Sequence, residues 1–121
     1  METLNKQTFT DKIFDLNGTG SYKGLLPAMI LIHNSGKFFD QTTNIVLSLS
    51  VKHTGRITFY NIDADVETDL VNMLGIKALP TMLLIPINDN GVILVGTLKD
   101  EVTAEKGILA TLRVNPLIIT K

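Results

Sequence analysis

Pro27 is followed by an unbroken apolar run, Ala28-Met29-Ile30-Leu31-Ile32, which His33-Asn34-Ser35-Gly36 brings to an end. A strand with one face in water alternates apolar and polar residues, so a run without alternation belongs to a strand covered on both faces. Such a strand is the centre of a sheet with other elements packed on both of its sides. At 121 residues the chain is one ordinary domain with a single hydrophobic core.

The rest of the chain supplies helices and further strands. Thr8 and Thr10 precede Asp11, and Phe9, Ile13, Phe14 and Leu16 share a helical stripe, which predicts a short first helix closing near Asn17-Gly18. From Phe38 to about His53-Thr54-Gly55, apolar residues at Phe38, Phe39, Ile45, Val46 and Leu49 give one face of a second helix. Arg56 to Ile62 reads as a strand, and Asp63-Ala64-Asp65 as the cap of a helix carrying Val66, Leu70, Val71, Met73 and Leu74 on its apolar face and stopping at Gly75. Met82 to Ile87 and Val92 to Thr97 read as strands joined by the turn Asn88-Asp89-Asn90-Gly91, where Asn and Gly tolerate positive φ. Asp100 or Thr103 caps a last helix through Ile108, Leu109 and Leu112, ahead of Asn115-Pro116. Strand, helix, strand at the front predicts parallel pairing, and the hairpin adds antiparallel strands to the same sheet.

Composition excludes several function classes. A net charge of −1 gives no field with which to gather phosphates, so nucleic acid is not an expected partner. The segment from Met1 to Lys12 is polar and does not read as a secretory signal, which makes the cytoplasm the expected location. Leu25 to Ile32 is far short of the roughly 20 residues that cross a bilayer as a helix, so no membrane association is expected. The cysteine count is zero, which removes disulfides, thiolate metal sites and every cysteine nucleophile.

The element order, together with Tyr22-Lys23-Gly24, Pro27-Ala28, Gly55-Arg56-Ile57, Asn61-Ile62-Asp63, the stretch from Leu74 to Thr81, and Gly96, resembles the thioredoxin family over roughly residues 22 to 113. The most specific part is Gly75-Ile76 followed by Leu79-Pro80-Thr81 and an apolar strand. The resemblance implies a thioredoxin-like α/β sandwich, a central mixed sheet with helices on both faces, over a single domain with a short N-terminal helix and an apolar tail at 114–121. It also implies a cis bond before Pro80 that leaves the backbone groups of residue 79 open to an extended peptide. The family's W-C-G-P-C motif is replaced here by Asn34-Ser35-Gly36-Lys37-Phe38-Phe39, with the two cysteine positions near Gly36 and Phe39 within a one-residue slip. The family's buried acid falls at Leu31. Dithiol exchange needs a thiol to form the mixed disulfide, so that activity is not expected. The joint loss of both cysteines, the tryptophan and the acid points to natural divergence rather than to engineered cysteine removal.

Other constellations favour plain structural roles. Asp63-x-Asp65-x-Glu67-x-Asp69 alternates like a calcium loop but has Leu74 at the twelfth position, where a bidentate acid is needed. Gly36-Lys37 lacks the Ser/Thr and the first glycine of a phosphate loop, and Gly18-x-Gly20 precedes a strand instead of following one. His33 and His53 lack a second histidine at metal-ligand spacing, and Ser21, Ser35, Ser48 and Ser50 sit in no nucleophile elbow. The expected function is therefore that of a redox-inactive module binding a protein or an extended peptide, without enzymatic activity, metal or cofactor. Its surface combines Gly36, Lys37, Phe38, Phe39, Leu79, Pro80, Thr81 and Gly96. The alternative is a structural protomer of a homo- or hetero-oligomer that packs through Leu117 to Ile119.

Overall fold

All six residues of Ala28–His33 are buried, as the absence of alternation requires. The computed structural model describes residues 1–16, 21–34 and 40–116. In chain order the elements are β1 (Glu2–Thr3), α1 (Lys6–Lys12), β2 (Ala28–His33), α2 (Gln41–Lys52), β3 (Thr58–Asp63), α3 (Thr68–Met73), β4 (Thr81–Ile85), β5 (Val92–Val95) and α4 (Glu101–Leu112). The sheet runs β1-β3-β2-β4-β5, with β1, β3 and β2 mutually parallel. β4 pairs antiparallel with β2, and β5 antiparallel with β4. This is the mixed α/β sandwich read from the sequence.

Successive strand side chains point to opposite faces, so the central strands feed two packed clusters rather than the single core expected. Ala28, Ile30 and Ile32 of β2 join Phe9 of α1, Ile13 at its C-cap, and Leu70 and Val71 of α3. Met29 and Leu31 join Ile45, Val46 and Leu49 of α2 with Ile108, Leu109 and Leu112 of α4. Tyr60 and Ile62 of β3 face the first cluster, and Phe59 the second.

Helix starts are set by side-chain caps, not always the expected ones. α1 begins ahead of the Thr8/Thr10 expectation: Asn5 is its cap, accepting from the Thr8 N–H at 2.8 Å while the Thr8 hydroxyl accepts from the Asn5 N–H at 2.8 Å. Such a reciprocal box satisfies two otherwise orphaned donors. Asp100, not Thr103, caps α4; it accepts from the Thr103 N–H at 2.8 Å, which holds its carboxyl below the usual range. α3 starts only at Thr68, and its cap residue, Glu67, makes no side-chain cap bond. Asp63 instead takes the Asp65 N–H in the preceding turn, and Val66, expected on the apolar face, is 68% exposed. β1 was not anticipated. Its two residues pair in parallel with Tyr60 and Asn61, and Lys12 ties it to α1 through Glu2 at 2.7 Å.

His53 closes α2 and is buried, with Nε2 at 2.7 Å from the Glu105 carboxylate of α4 and Nδ1 at 3.3 Å from the Arg56 guanidinium. Lys52 reaches the same carboxylate at 2.9 Å. Hydrogen bonds from Lys52 and His53 hold the Glu105 carboxyl below its ordinary value of 4.5. The folded state thus binds this proton less tightly than the unfolded chain. The clamp's contribution is present above about pH 4.5 and is lost as pH falls through the lower folded value. Glu105→Gln is expected to destabilise most at neutral pH, with the gap to wild type closing below about pH 4.5, as read by urea unfolding at several pH values. A gap that does not change with pH would mean that the carboxylate's charge is not what holds α2 to α4.

Candidate functional site

The sheet end that carries the C-termini of β2 and β3 also carries the start of β4, the start of α2 and the segment after β5. There the Leu79–Pro80 bond is cis. The Gly96 N–H donates to the Pro80 carbonyl at 2.9 Å, and Gly96 holds φ +117°, a conformation that side chains rarely adopt. The fold thus brings Leu79, Pro80 and Gly96 next to one another. No backbone hydrogen bond joins Leu79 to another described residue.

Thr81 does not belong to the surface. It is fully buried, and its hydroxyl donates to the Ala78 carbonyl at 2.6 Å. As the first residue of β4, in a strand buried throughout, it points into the fold and braces the loop from within. Gly36, Lys37, Phe38 and Phe39 lie outside the described residues, as does the apolar tail Leu117 to Ile119.

Beside Leu79 and Pro80 is a groove of about 220 Å³ whose other walls are His33, Asn34, Asp40, Thr42, Thr43 and Thr97. Sequence reading assigned none of these six to the site. The α2 start builds one wall: Asp40 caps the helix by accepting from the Thr43 N–H at 3.0 Å. The Thr42 hydroxyl accepts from the Leu98 N–H at 3.0 Å, and Gln41 donates to the Lys99 carbonyl at 2.7 Å. These bonds lock the helix to the segment after β5 and fix the groove's width. A start signal is there in the sequence, Asp40 ahead of the stripe Ile45, Val46 and Leu49, whereas the expectation of a helix from Phe38 rests on the apolar pair Phe38-Phe39.

The floor is a polar chain. His33, 5% exposed, lies between the Asn34 carbonyl at 2.9 Å from Nδ1 and the Asn61 side-chain oxygen at 2.9 Å from Nε2. Asn61 in turn donates to the Thr3 hydroxyl at 3.0 Å, so the chain runs from the groove to β1. Leu31, where the resemblance implies an acid, is fully buried among the apolar residues of the α2/α4 layer. No buried side-chain nitrogen or oxygen among the described residues is left without a partner.

Among curated proteins, the chain is 31% identical over 102 residues to the thioredoxin of Borreliella burgdorferi, covering 82% of this chain and 87% of that protein. The chain belongs to the thioredoxin family. Among solved structures, this thioredoxin-family protein matches chloroplastic thioredoxin z with a TM-score of 0.70 at 17% identity, over 92% of this chain and 93% of that one. That likeness establishes the shared fold. No family model matches the chain.

Within that family the chain is chemically distinct. It has no cysteine, so it cannot form the mixed disulfide through which dithiol exchange proceeds. Among the described residues no group of three or more His, Asp or Glu side chains could hold a metal, and no helix is long and apolar enough to cross a membrane. A larger hollow of about 570 Å³ opens at the opposite end of the sheet against Phe14, Tyr22, Ile85 and the β4–β5 hairpin. Tyr22 there donates to the Leu26 carbonyl at 2.6 Å, and burial pushes its hydroxyl up to about 12. That hollow lies at the end of the sheet away from the cis Leu79–Pro80 bond and the start of α2.

Proposed function

We propose that this thioredoxin-family protein is a redox-inactive module that binds an extended segment of another protein in the groove beside Pro80. The observation that carries the reading is the half-buried Leu79, whose backbone donor and acceptor bond to no other described residue at the rim of a formed groove. An extended peptide laid against such a backbone pairs with it as an added strand, which gives affinity from the main chain and selectivity from the pockets alongside. The groove supplies both kinds of contact: Leu79 and Pro80 are apolar, while Asn34, Asp40 and Thr97 offer hydrogen-bonding groups. The partner proposed is a protein rather than a nucleic acid or a membrane, and the setting proposed is the cytoplasm.

The test is a display library of unstructured peptides screened against wild type and against Thr97→Arg. Thr97 is exposed and lines the groove, so the longer cation fills the site without entering the core. Peptides retained by wild type and weakened at least about tenfold by the variant, equivalent to about 1.4 kcal/mol, are the expected outcome. A library with no wild-type binders, or binders indifferent to Thr97→Arg, would remove the groove from consideration.

A further inference from the structure

Among the described residues, β5 is an unguarded edge. It is the last strand of the sheet, and its residues Val92, Ile93, Leu94 and Val95 are 37%, 50%, 38% and 64% exposed, whereas its neighbour β4 is buried throughout. Edge strands in folded proteins are guarded by a charge, a proline, a bulge or a covering element, because a free row of donors and acceptors recruits another strand. No charged residue and no proline occurs from Asn90 to Leu98. The Gly96 N–H bonds the Pro80 carbonyl, and the register continues with Leu94 opposite Met82. Amides alternate in direction along an antiparallel pair, so those of Ile93 and Val95 point outward.

The chain carries a second apolar segment suited to that edge. Leu117-Ile118-Ile119-Thr120 is uncharged and rich in β-branched residues, and it follows Pro116 outside the described part of the structure. The described chain ends at Pro116, at the sheet end where β5 begins. Arg113, at the end of α4, pairs with Asp89 of the hairpin, and Arg56 donates to the Asn115 carbonyl.

This topology disfavours a chain's own tail covering its own β5. Leaving α4 at that end, it would have to run parallel to β5, making β5, α4 and tail a crossover unit. α2 and α4 pack on the same face of the sheet, and the crossover through α2 steps from β2 toward β3 and β1. Crossovers are right-handed in about 98% of cases, so on this face the favoured step from β5 points to the place β4 already occupies. The outer side of β5 is reached only by the left-handed path. The tail of another molecule carries no such constraint.

We propose that the β5 edge binds the segment Leu117 to Thr120 of a second copy of this chain as an added strand, so that the protein self-associates by tail exchange. The interface is small, so association belongs to the weak, concentration-dependent class and needs mass measurement up to about 500 μM. Sedimentation of the full chain is expected to show twice the 13.3 kDa monomer mass at high concentration. Val95→Lys, which adds an edge-guarding charge at an exposed position, and Ile118→Lys are each expected to return the protein to monomer. A wild type that is monomeric throughout, or a dimer that survives either substitution, would overturn the proposal. The cysteine-free background allows a direct check: a mixture of Val95→Cys and Ile118→Cys chains is expected on oxidation to give mainly the crossed disulfide. A predominant Val95→Cys homodimer would mean that the edges pair with each other and would refute tail exchange.

Discussion

Replacing Leu31 with aspartate is expected to cost more than about 4 kcal/mol at neutral pH, enough to unfold a domain of ordinary stability. Leu31 is fully buried, and its packing partners are in the apolar layer that holds Met29, Val46, Leu49 and Met82. Its register partner in β3 is Asn61, whose side chain is already bonded to His33 and Thr3. A carboxylate placed there has neither water nor a cation. The resemblance to thioredoxins puts an acid at this position, so the substitution asks whether the fold has closed over the site. The sign is fixed by linkage: burial raises the folded-state pKa of the new acid. The penalty is therefore largest at neutral pH and shrinks as pH falls toward the unfolded value of about 3.9. Urea unfolding of Leu31→Asp and Leu31→Asn across pH 3 to 8 reads this, because only the aspartate variant should gain ground on acidification. An aspartate variant as stable as wild type at neutral pH would mean that water still reaches the old acid position.

Phe9→Ala is the second large effect, with an expected loss of about 3–5 kcal/mol. Phe9 is the one fully buried residue of α1, and its ring meets Phe14 edge-on at 5.1 Å between centroids. It packs with Ile13, Leu70 and the β2 residues Ile30 and Ile32, so truncation leaves a cavity between α1 and the sheet. Thermal unfolding should show a cooperative but much lower midpoint. A loss below about 1 kcal/mol would mean that α1 contributes little to the fold and that β1 and α1 are an appendage.

Legibility in the sequence followed burial. β2 declared itself because a strand covered on both faces has no polar interruption, and α4 because Asp100 and Leu112 bracket a clear apolar stripe. β1 was invisible: two exposed residues show no period, and their pairing with β3 is set by tertiary contact. α1 was misplaced because Thr8 reads as a cap when it is the third helical residue answering Asn5. The site was half legible. Leu79, Pro80 and Gly96 came through local motifs, whereas His33, Asp40 and Thr97 lie on three separate segments that only the assembled sheet brings together. Thr81 was misassigned because its neighbour Pro80 lies at the rim while the strand that begins with Thr81 turns inward.

The division of β2 between two clusters gives consecutive letters of the sequence different physical obligations. Ile30 answers to α1 and α3, Leu31 to α2 and α4, and the sheet's backbone stands between them. Substitutions that share no packing partners combine nearly additively, so a methyl lost at one should be repaired only by volume added on its own side. Over evolutionary time the even- and odd-numbered positions of this strand can drift at different rates, each in step with its own pair of helices.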